Sequence, residues 1–375
     1  MADSTVSGFV DVWCSLGTGN AFWRIDLSKV EATRYSGLAT LSKWELLPNP
    51  AATRLESTTM VWSGEELLYF SGQGTEVEEF RGWGYDPETN VMHRIPGAPW
   101  PGRWGQVALW TGDEMLIQRG PTTLWDPIAL EWRTTEQSPA LGGFPFAVWT
   151  GEEAIFYGSR IEQSNSGAAY DPDTDTWRPI ATGPVAVAVG IQVMAWSGEE
   201  MYVLGNVGGF PASQSGAVYN PTSDRWRLLP PIPEEFALWG SVGDFVDGEF
   251  IVLGENWDPL HTDGAPLIAG LAYSPESDTW RTVAELRQGG TLPRPDVNVM
   301  RFPTSMAAIK HGDELAVFLP AEHSRGPATI AFYRPSTDTW RYVDGAPASA
   351  WPPNPNPGFH CTHMCNVAHR TVEPC

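Results

Sequence analysis

The sequence predicts an all-β fold built from repeated four-stranded units, and three observations lead to this prediction. An aromatic residue lies two positions before a Pro in six similar segments of the 375-residue chain. A second segment, two apolar stretches joined by a tight Gly-acid turn, alternates with the first. Corresponding positions of successive copies are between 40 residues (92 to 132) and 60 residues (280 to 340) apart. Self-similarity at such a period indicates stacked or radially arranged units.

The first repeated segment predicts a hairpin between the two outer strands of each unit. Its copies begin at Tyr85, Trp125, Tyr170, Tyr219, Tyr273 and Tyr333. In the third copy Pro172 presets φ for a turn, and neighbouring Asp and Thr side chains can cap backbone groups. A Trp follows every turn except the first, where Met92 takes its place. Because large aromatics pack well on half-buried strands, we expect these residues to be structural and largely buried: Trp132, Trp177, Trp226, Trp280 and Trp340.

The second repeated segment predicts a hairpin between the two inner strands. It reads Trp62-Ser63-Gly64-Glu65-Glu66 in the first unit, and related sequences occur at 110–114, 149–153 and 196–200. Segments 245–249 and 310–314 are diverged versions. A Gly-containing link of this length between β-favouring runs is typical of a hairpin. We interpret the acidic pairs as solubilising turn residues rather than calcium ligands, because they recur at equivalent turns.

Each unit therefore supplies four short strands, which we call a, b, c and d. In the fourth unit they are predicted at 187–196, 201–205, 216–219 and 226–229. Since successive strands alternate in direction, the a–b and c–d turns lie on one face of the fold and the b–c and d–a connections on the other. The second set varies in length and content, as expected for loops that bind ligands.

The pattern of the units resembles the kelch family of β-propellers. In that family strand b closes on a glycine pair, strand c carries a Tyr, and strand d opens with a Trp and exits through a Leu-Pro-like sequence. Trp226-Arg227-Leu228-Leu229-Pro230 and Trp44-Glu45-Leu46-Leu47-Pro48 match this exit. The glycine pair is reduced to Gly72, Gly120, Gly158, Gly205 and Gly254, and is lost at Pro320. The resemblance spans roughly residues 40–345 and implies a kelch-type propeller, a fold that serves oxidases, sugar epimerases and binding scaffolds alike.

Closure of the ring predicts that both ends of the chain share one blade. Trp44 opens a seventh strand d, and 9–16 and 21–27 can supply strands b and c of the same unit. Only strand a is then missing, and the tail at 357–370 is the segment left to supply it. Seven blades in a single domain over 1–375 are favoured, with 1–48 and 346–375 jointly forming the closing blade. In the six-bladed alternative, residues 1–40 form a separate cap.

Composition limits the classes of partner. The net charge of −22 argues against broad nucleic-acid binding, which requires a basic face. No apolar run approaches the ~20 residues that a membrane helix needs, so no membrane partner is expected. The first residues carry no secretory signal, and location stays open, with a secreted or periplasmic one favoured. We expect a monomer.

The face formed by the b–c and d–a connections is the predicted ligand-binding face. An Arg beside aromatics can hold an anionic or sugar ligand through bidentate hydrogen bonds and ring stacking. Each Arg can instead pair with a local acid, and each Trp can instead pack a blade. The candidate residues are Arg81, Arg103, Trp104, Arg160, Trp239, Trp257, His261, Arg294, His323 and Arg325, with Trp100 beside them.

The C-terminal tail concentrates cysteine and histidine. It holds His360, Cys361, His363, Cys365, His369 and Cys375, and the remaining cysteine, Cys14, lies in the closing blade. Three states are open. The first is a disulfide from Cys14 to Cys361 or Cys365, and the second is a zinc or copper site formed by His360, Cys361, His363 and Cys365. In the third, the thiols are free. The ligand types suit these metals, but the spacing matches no specific zinc finger.

Two classes of function follow from the sequence. In the first, the loop face binds a carbohydrate, an anionic small molecule or a protein without turning it over; this is the favoured hypothesis. In the second, an epimerase-like, lyase-like or metal-dependent reaction takes place on the same face, at the mouth of the central channel of the propeller. The kelch-type copper oxidases require a Tyr cross-linked to a Cys in the propeller body, and no Cys occurs between Cys14 and Cys361.

Overall fold

Among the residues that it describes, the computed structural model has 28 β-strands and one short 3-10 helix, Pro335–Thr337. It describes residues 8–16, 19–26, 44–46, 59–71, 81–86, 88–89, 91–99, 107–118, 121–135, 146–158, 165–185, 193–207, 213–233, 238–256, 269–284, 286, 307–319, 329–343 and 365–371. Within these ranges no helix is long and apolar enough to cross a membrane.

Six four-stranded sheets follow one another along the chain, and we number them as blades 1 to 6. Blade 1 contains β4 (Thr59–Trp62), β5 (Leu67–Ser71), β6 (Arg81–Asp86) and β7 (Val91–Ile95). Blade 2 contains β8 (Val107–Trp110), β9 (Met115–Gln118), β10 (Thr122–Asp126) and β11 (Glu131–Thr134). Blade 3 contains β12 (Phe146–Trp149), β13 (Ala154–Tyr157), β14 (Gly167–Asp171) and β15 (Thr176–Pro179).

Blades 4 to 6 repeat this order of strands. Blade 4 contains β16 (Val193–Trp196), β17 (Met201–Val207), β18 (Ser213–Asn220) and β19 (Arg225–Leu228). Blade 5 contains β20 (Leu238–Val246), β21 (Glu249–Asn256), β22 (Ala269–Ser274) and β23 (Thr279–Thr282). Blade 6 contains β24 (Ala307–His311), β25 (Glu314–Leu319), β26 (Thr329–Arg334) and β27 (Thr339–Val343).

A seventh four-stranded sheet, which we call the closing sheet, combines strands from both ends of the chain. Its order is β28 (Cys365–Thr371), β1 (Gly8–Leu16), β2 (Gly19–Asp26) and β3 (Trp44–Leu46). β28 pairs antiparallel with β1, so the C-terminal strand occupies the position that strand a has in the other sheets.

The seven strands at the a position contact one another in a closed cycle. β4, β8, β12, β16, β20 and β24 meet in this order, and β28 contacts both β24 and β4. Such a cycle removes the open sheet edges that an unclosed array would expose. The fold is therefore an all-β propeller with four antiparallel strands per blade.

The hydrophobic core lies between the blades rather than within one layer. The middle strands of a blade are packed on both faces, and β13 for example is buried along its whole length. Between blades 4 and 5, Tyr202 and Leu204 pack against Phe250 and Tyr273. The d strands at the rim have exposed ends, as in β15. Because the sheets are covered on both sides, the sequences of strands b and c are mostly continuous apolar runs and do not alternate between apolar and polar residues.

One detail of the predicted strands changes in the structure, and another lies partly outside the described residues. Strand a of blade 4 is Val193–Trp196, and residues 187–192 of the predicted strand are outside the described part. The C-terminal strand is Cys365–Thr371 rather than 357–370. Backbone pairing with β1 sets both its bounds and its register, and the sequence pattern of the tail does not contain that information.

The strand-d Trp residues are half-buried, so the expectation that they are largely buried was too strong. They are structural as expected, because each packs on an interface between blades; Trp226 stacks near Tyr157 of the preceding blade at 4.6 Å between ring centroids. Their cross-strand partners on strand c are fully buried, at 0 or 1% exposure: Tyr170, Tyr219, Tyr273, Tyr333 and Trp125. The rim position of strand d explains the partial exposure.

Candidate functional site

The a–b turns on one face are fixed by local hydrogen bonds. In blade 3, Thr150 Oγ1 accepts the backbone N–H of Glu152 (3.2 Å) and of Glu153 (2.9 Å), and donates to the Glu153 carbonyl at 3.0 Å. Gly151 has a φ of 103°, a left-handed conformation that favours glycine. The turn therefore directs the side chain of its second acid, Glu153, towards strand d of the same blade.

An Arg that follows the strand-d Trp receives this acid. Arg178 donates to Glu153 through Nε at 3.0 Å and through Nη2 at 2.5 Å, a bidentate ion pair. The same bidentate pair recurs as Arg133 with Glu114, Arg281 with Glu249 and Arg341 with Glu314. Arg227 makes a single contact with Glu200, through Nη2 at 3.2 Å. In blade 1, His93 replaces the Arg and meets Glu66 at 2.9 Å. The second acid of each of these turns is thus paired with a basic side chain of its own blade.

The same Arg reaches across to the next blade. Arg178 Nη1 donates to the Tyr219 hydroxyl at 3.3 Å, and we call this contact the Arg–Tyr link. Equivalent links join Arg133 to Tyr170 at 2.9 Å, Arg227 to Tyr273 at 3.1 Å and Arg281 to Tyr333 at 3.0 Å. Four interfaces, from blades 2 and 3 to blades 5 and 6, therefore have a polar connection at an equivalent position.

Each linked Tyr is held in turn by an Asp of its own blade. The Tyr219 hydroxyl donates to Asp224 at 2.7 Å, and Asp224 also accepts the Ala181 backbone N–H of the preceding blade at 2.8 Å. These two hydrogen bonds, that from Ala181 first, lower the pKa of the Asp224 carboxyl. Burial raises the pKa of Tyr219 to about 12, so its hydroxyl remains a donor at neutral pH. Asp224 lies in the left-handed region, with a φ of 51°, as do Asp175, Asp278 and Asp338 at the equivalent turns.

The pattern is incomplete on the side of the ring that includes blade 1 and the closing sheet. Blade 1 carries His93 at the Arg position, and blade 2 carries Trp125 at the Tyr position opposite Trp132. In the closing sheet, Glu45 occupies the Arg position and Ile25 pairs with Trp44 where other blades have Tyr. No Arg–Tyr pair of this kind is therefore encoded at these three interfaces.

This face is consequently a structural one. The second acid of each a–b turn and the strand-d Arg residues are engaged in ion pairs and in links between blades, and Arg133 contacts two acids, Glu114 and Asp175. Within the described residues, no group of three or more Asp, Glu, His or Cys residues is placed to hold a metal ion.

One half-buried carboxyl departs from the repeat on the inner strands. Asp244 in β20 occupies a position that is Val61, Val148 and Ala195 in other blades, one residue before the aromatic that ends strand a. Burial raises the pKa of Asp244, whereas the Phe245 N–H at 2.7 Å and nearby Lys310 favour its charged form. Lys310 itself replaces the strand-end Trp of blades 1 to 4. The two departures lie on neighbouring inner strands, β20 and β24, which contact each other.

Two of the residues that the sequence singled out lie on the opposite face. Arg81 opens β6 opposite Ser71, and Trp239 lies in β20 opposite Glu255, next to a register irregularity that extends to Val242. Both lie at the edge from which the b–c and d–a connections leave, and so on one face of the ring. The remaining candidates lie outside the described residues: Arg103, Trp104, Arg160, Trp257, His261, Arg294, His323 and Arg325.

The tail candidates divide in the same way. Cys365 is the first residue of β28 and pairs with Cys14. His360, Cys361 and His363, the other members of the predicted zinc or copper site, lie outside the described residues. The metal site therefore stays a prediction.

The sequence analysis missed the Arg–Tyr links. A signal was present, because Arg follows the strand-d Trp at 133, 178, 227, 281 and 341, and an Asp lies five residues after four of the strand-c Tyr residues. A residue repeated beside a structural Trp at a ring interface indicates a structural partner rather than a ligand. The partner is in the next blade, 37 to 52 residues away, and could not be assigned from local spacing.

Comparison with solved structures agrees with the fold. The chain is similar to a protein whose structure is titled "Structure of YjhT", with a TM-score of 0.51 and 11% sequence identity. The similarity covers 80% of this chain and 99% of that chain. No family model and no curated protein matches the sequence. At this identity the likeness shows the β-propeller fold alone.

Proposed function

We propose that the chain is a kelch-type propeller of seven blades that binds a ligand on its b–c and d–a face, around the central channel. One observation carries this proposal: the two faces of the ring differ in chemistry. On the a–b and c–d face, short turns repeat, and the second acid of each a–b turn pairs with a basic side chain of the same blade. A face whose repeated groups serve assembly leaves the variable connections of the other face for recognition.

The connections on the proposed binding face differ widely from blade to blade. The b–c connection of blade 2 runs only from Gln118 to Thr122, whereas that of blade 5 runs from Asn256 to Ala269. The d–a connections include one from Leu228 to Leu238 and one from Thr282 to Ala307. A purely structural role would favour connections of similar length in every blade. The lengths of these connections do not repeat, which is typical of loops that carry binding specificity.

The residue types of these connections favour a carbohydrate or an anionic small molecule. The strand-d Arg residues are committed to ion pairs on the other face, from Arg133 to Arg341. In the sequence of these connections, Arg103, Arg160, Arg294 and Arg325 are interspersed with Trp104 and Trp257. Planar guanidinium groups suit carboxylates and phosphates, and aromatic rings suit the faces of sugars. In a chain of net charge −22, a local group of Arg residues is needed to attract an anion.

A glycan array together with a thermal-shift panel of acidic sugars and other small anions would test this proposal. For any ligand found, we expect Arg103→Ala and Arg294→Ala to raise Kd at least about tenfold, the scale of one charge-assisted contact. Arg225→Ala is the matched control, because Arg225 is an exposed residue at the c–d turn of blade 4 on the opposite face. Equal losses in all three variants, or losses in none, would contradict the assignment of the face. Conversion of the ligand during the assay would move the function to the enzyme class at the same channel mouth.

A further inference from the structure

The ladder between β28 and β1 places two cysteines opposite each other. The pairing runs from Gly8 with Thr371 to Cys14 with Cys365, which form its last pair. The chain has only four cysteines, and these two come from opposite ends of its sequence. The register, rather than the spacing along the chain, brings them together.

Residues directly opposite each other in an antiparallel pair are close enough for a disulfide. Their Cα atoms are about 4.5–5.5 Å apart and their side chains leave the same face of the sheet. A disulfide requires a Cα separation of about 4.4–6.8 Å, so the backbone placement of Cys14 and Cys365 satisfies it. Cys361 and Cys375 lie beyond the two ends of β28 and have no register partner in the described ladder.

We propose that Cys14 and Cys365 form a disulfide that locks the closing sheet. The reaction is thiol–disulfide exchange with a small-molecule disulfide such as oxidised glutathione. One protein thiolate attacks the reagent and releases a first thiol. The second protein thiolate then attacks the mixed disulfide and releases a second thiol. Two protein thiols are thereby oxidised and one reagent disulfide is reduced to two thiols.

The position of the bond gives it a large effect. β28 supplies the inner strand of the closing sheet and contacts β24 on one side and β4 on the other. In its own sheet it pairs with β1 alone. A covalent bond from residue 14 to residue 365 closes a loop that contains blades 1 to 6, and the stabilising effect of a cross-link increases with loop length.

The disulfide and the zinc or copper hypothesis compete for Cys365. A thiolate that binds a metal cannot at the same time be part of a disulfide. The proposed bond suits an oxidising compartment, in keeping with the secreted or periplasmic location favoured by the sequence analysis.

The test uses the full-length chain after incubation with oxidised glutathione. Free thiols are alkylated in denaturant, and the digested protein is mapped by mass spectrometry. We expect two alkylated cysteines, Cys361 and Cys375, and one linked peptide pair, Cys14 with Cys365, that disappears after reduction. The oxidised protein should have a Tm at least about 3 °C above that of the reduced protein.

Matched variants keep the result specific. The Tm difference between oxidised and reduced protein should vanish in Cys14→Ser and Cys365→Ser, and persist in Cys361→Ser and Cys375→Ser. Mapping of the unmodified chain gives an answer even where a variant does not fold. Four alkylated cysteines, a bond from Cys14 to Cys361, or stoichiometric zinc that is lost in Cys365→Ser but retained in Cys14→Ser would each overturn the proposal.

Discussion

The four successive interfaces from blade 2 to blade 6 differ from those around blade 1 and the closing sheet. Each of these four interfaces has an Arg–Tyr link. The linking Arg also pairs with a turn acid of its own blade, and the linked Tyr donates to an Asp of its own blade. On the other side of the ring these positions hold His93, Trp125, Glu45 and Ile25. Between blades 1 and 2, apolar contacts and the Trp132 indole, which donates to the Pro96 carbonyl at 2.9 Å, hold the blades together.

The difference shows two ways of joining blades in one ring. Blades that are contiguous in sequence can be aligned by a repeated polar contact, because each turn presents the same groups. The closing sheet is assembled from the two ends of the chain, and its alignment depends on the pairing of β28 with β1. The proposed disulfide lies on the side of the ring where the repeated links are missing.

The largest effect is expected from removing an aromatic at a linked interface. Trp226 packs with Tyr219 and Tyr157, and its indole donates to the Ala181 carbonyl of the preceding blade at 2.7 Å. We expect Trp226→Ala to lower the free energy of unfolding by about 3–5 kcal/mol, as is usual for truncating a large aromatic. Chemical denaturation followed by circular dichroism measures the loss. A change below about 1 kcal/mol would show that the half-buried Trp contributes little to the interface.

Removal of a linking Arg should have the next largest effect. Arg178→Ala breaks the ion pair with Glu153 and the hydrogen bond to Tyr219. Because the Arg178 side chain is 40% exposed, we expect a loss of about 1–2 kcal/mol rather than the cost of breaking a buried pair. Arg225→Ala, an exposed substitution in the same blade as Tyr219, should change stability by less than about 0.5 kcal/mol. Equal effects of the two variants would contradict a specific role for the link.

The energy of the link itself can be isolated by a double-mutant cycle. Tyr219→Phe removes the hydroxyl that Arg178 and Asp224 share, and we expect it to cost about 1 kcal/mol. The coupling between Arg178→Ala and Tyr219→Phe should be about 0.5–1 kcal/mol. Tyr85→Phe paired with Arg178→Ala, two sites at different interfaces, serves as the reference and should be additive. Zero coupling in the first cycle would show that the Arg–Tyr contact adds no stability.

The smallest expected effect is the pH dependence that comes from Asp244 at the interface of blades 5 and 6. Burial raises the pKa of this carboxyl in the folded protein. The contribution of Asp244 to protein stability is therefore fully present at low pH, where the carboxyl is protonated, and is lost as pH rises through the raised pKa. We expect Asp244→Asn to increase Tm relative to the unmodified chain at pH 7, with the gain shrinking towards pH 4. Asp173→Asn at an exposed turn is the control. A gain that is the same at both pH values would point to packing rather than ionisation.

Much of the fold follows from short-range sequence patterns. The aromatic–Pro segments and the Gly-acid turns predicted the c–d and a–b hairpins, and the sheets form where these segments placed their strands. Turn chemistry is local: Thr150 reaches only to Glu153, and Asp171 accepts the N–H of Asp173 two residues on. For this reason the four-stranded blades could be predicted from the sequence without knowledge of how the blades pack in the ring. The ligand-binding face stays a prediction, because only Arg81 and Trp239 of its candidate residues are in described strands.

The sequence by itself determined the number of strands per unit, the chemistry of each turn and the sharing of one sheet by both ends. Only the tertiary structure decided which residues meet across the blades. Arg178 finds Tyr219 because packing sets one blade against the next, and Cys14 meets Cys365 because the register of two strands 351 positions apart (365 less 14) is fixed by backbone hydrogen bonds. A contact within a turn is specified by covalent spacing, whereas a contact between blades depends on how whole sheets pack. That packing is a property of the ring and not of any one segment.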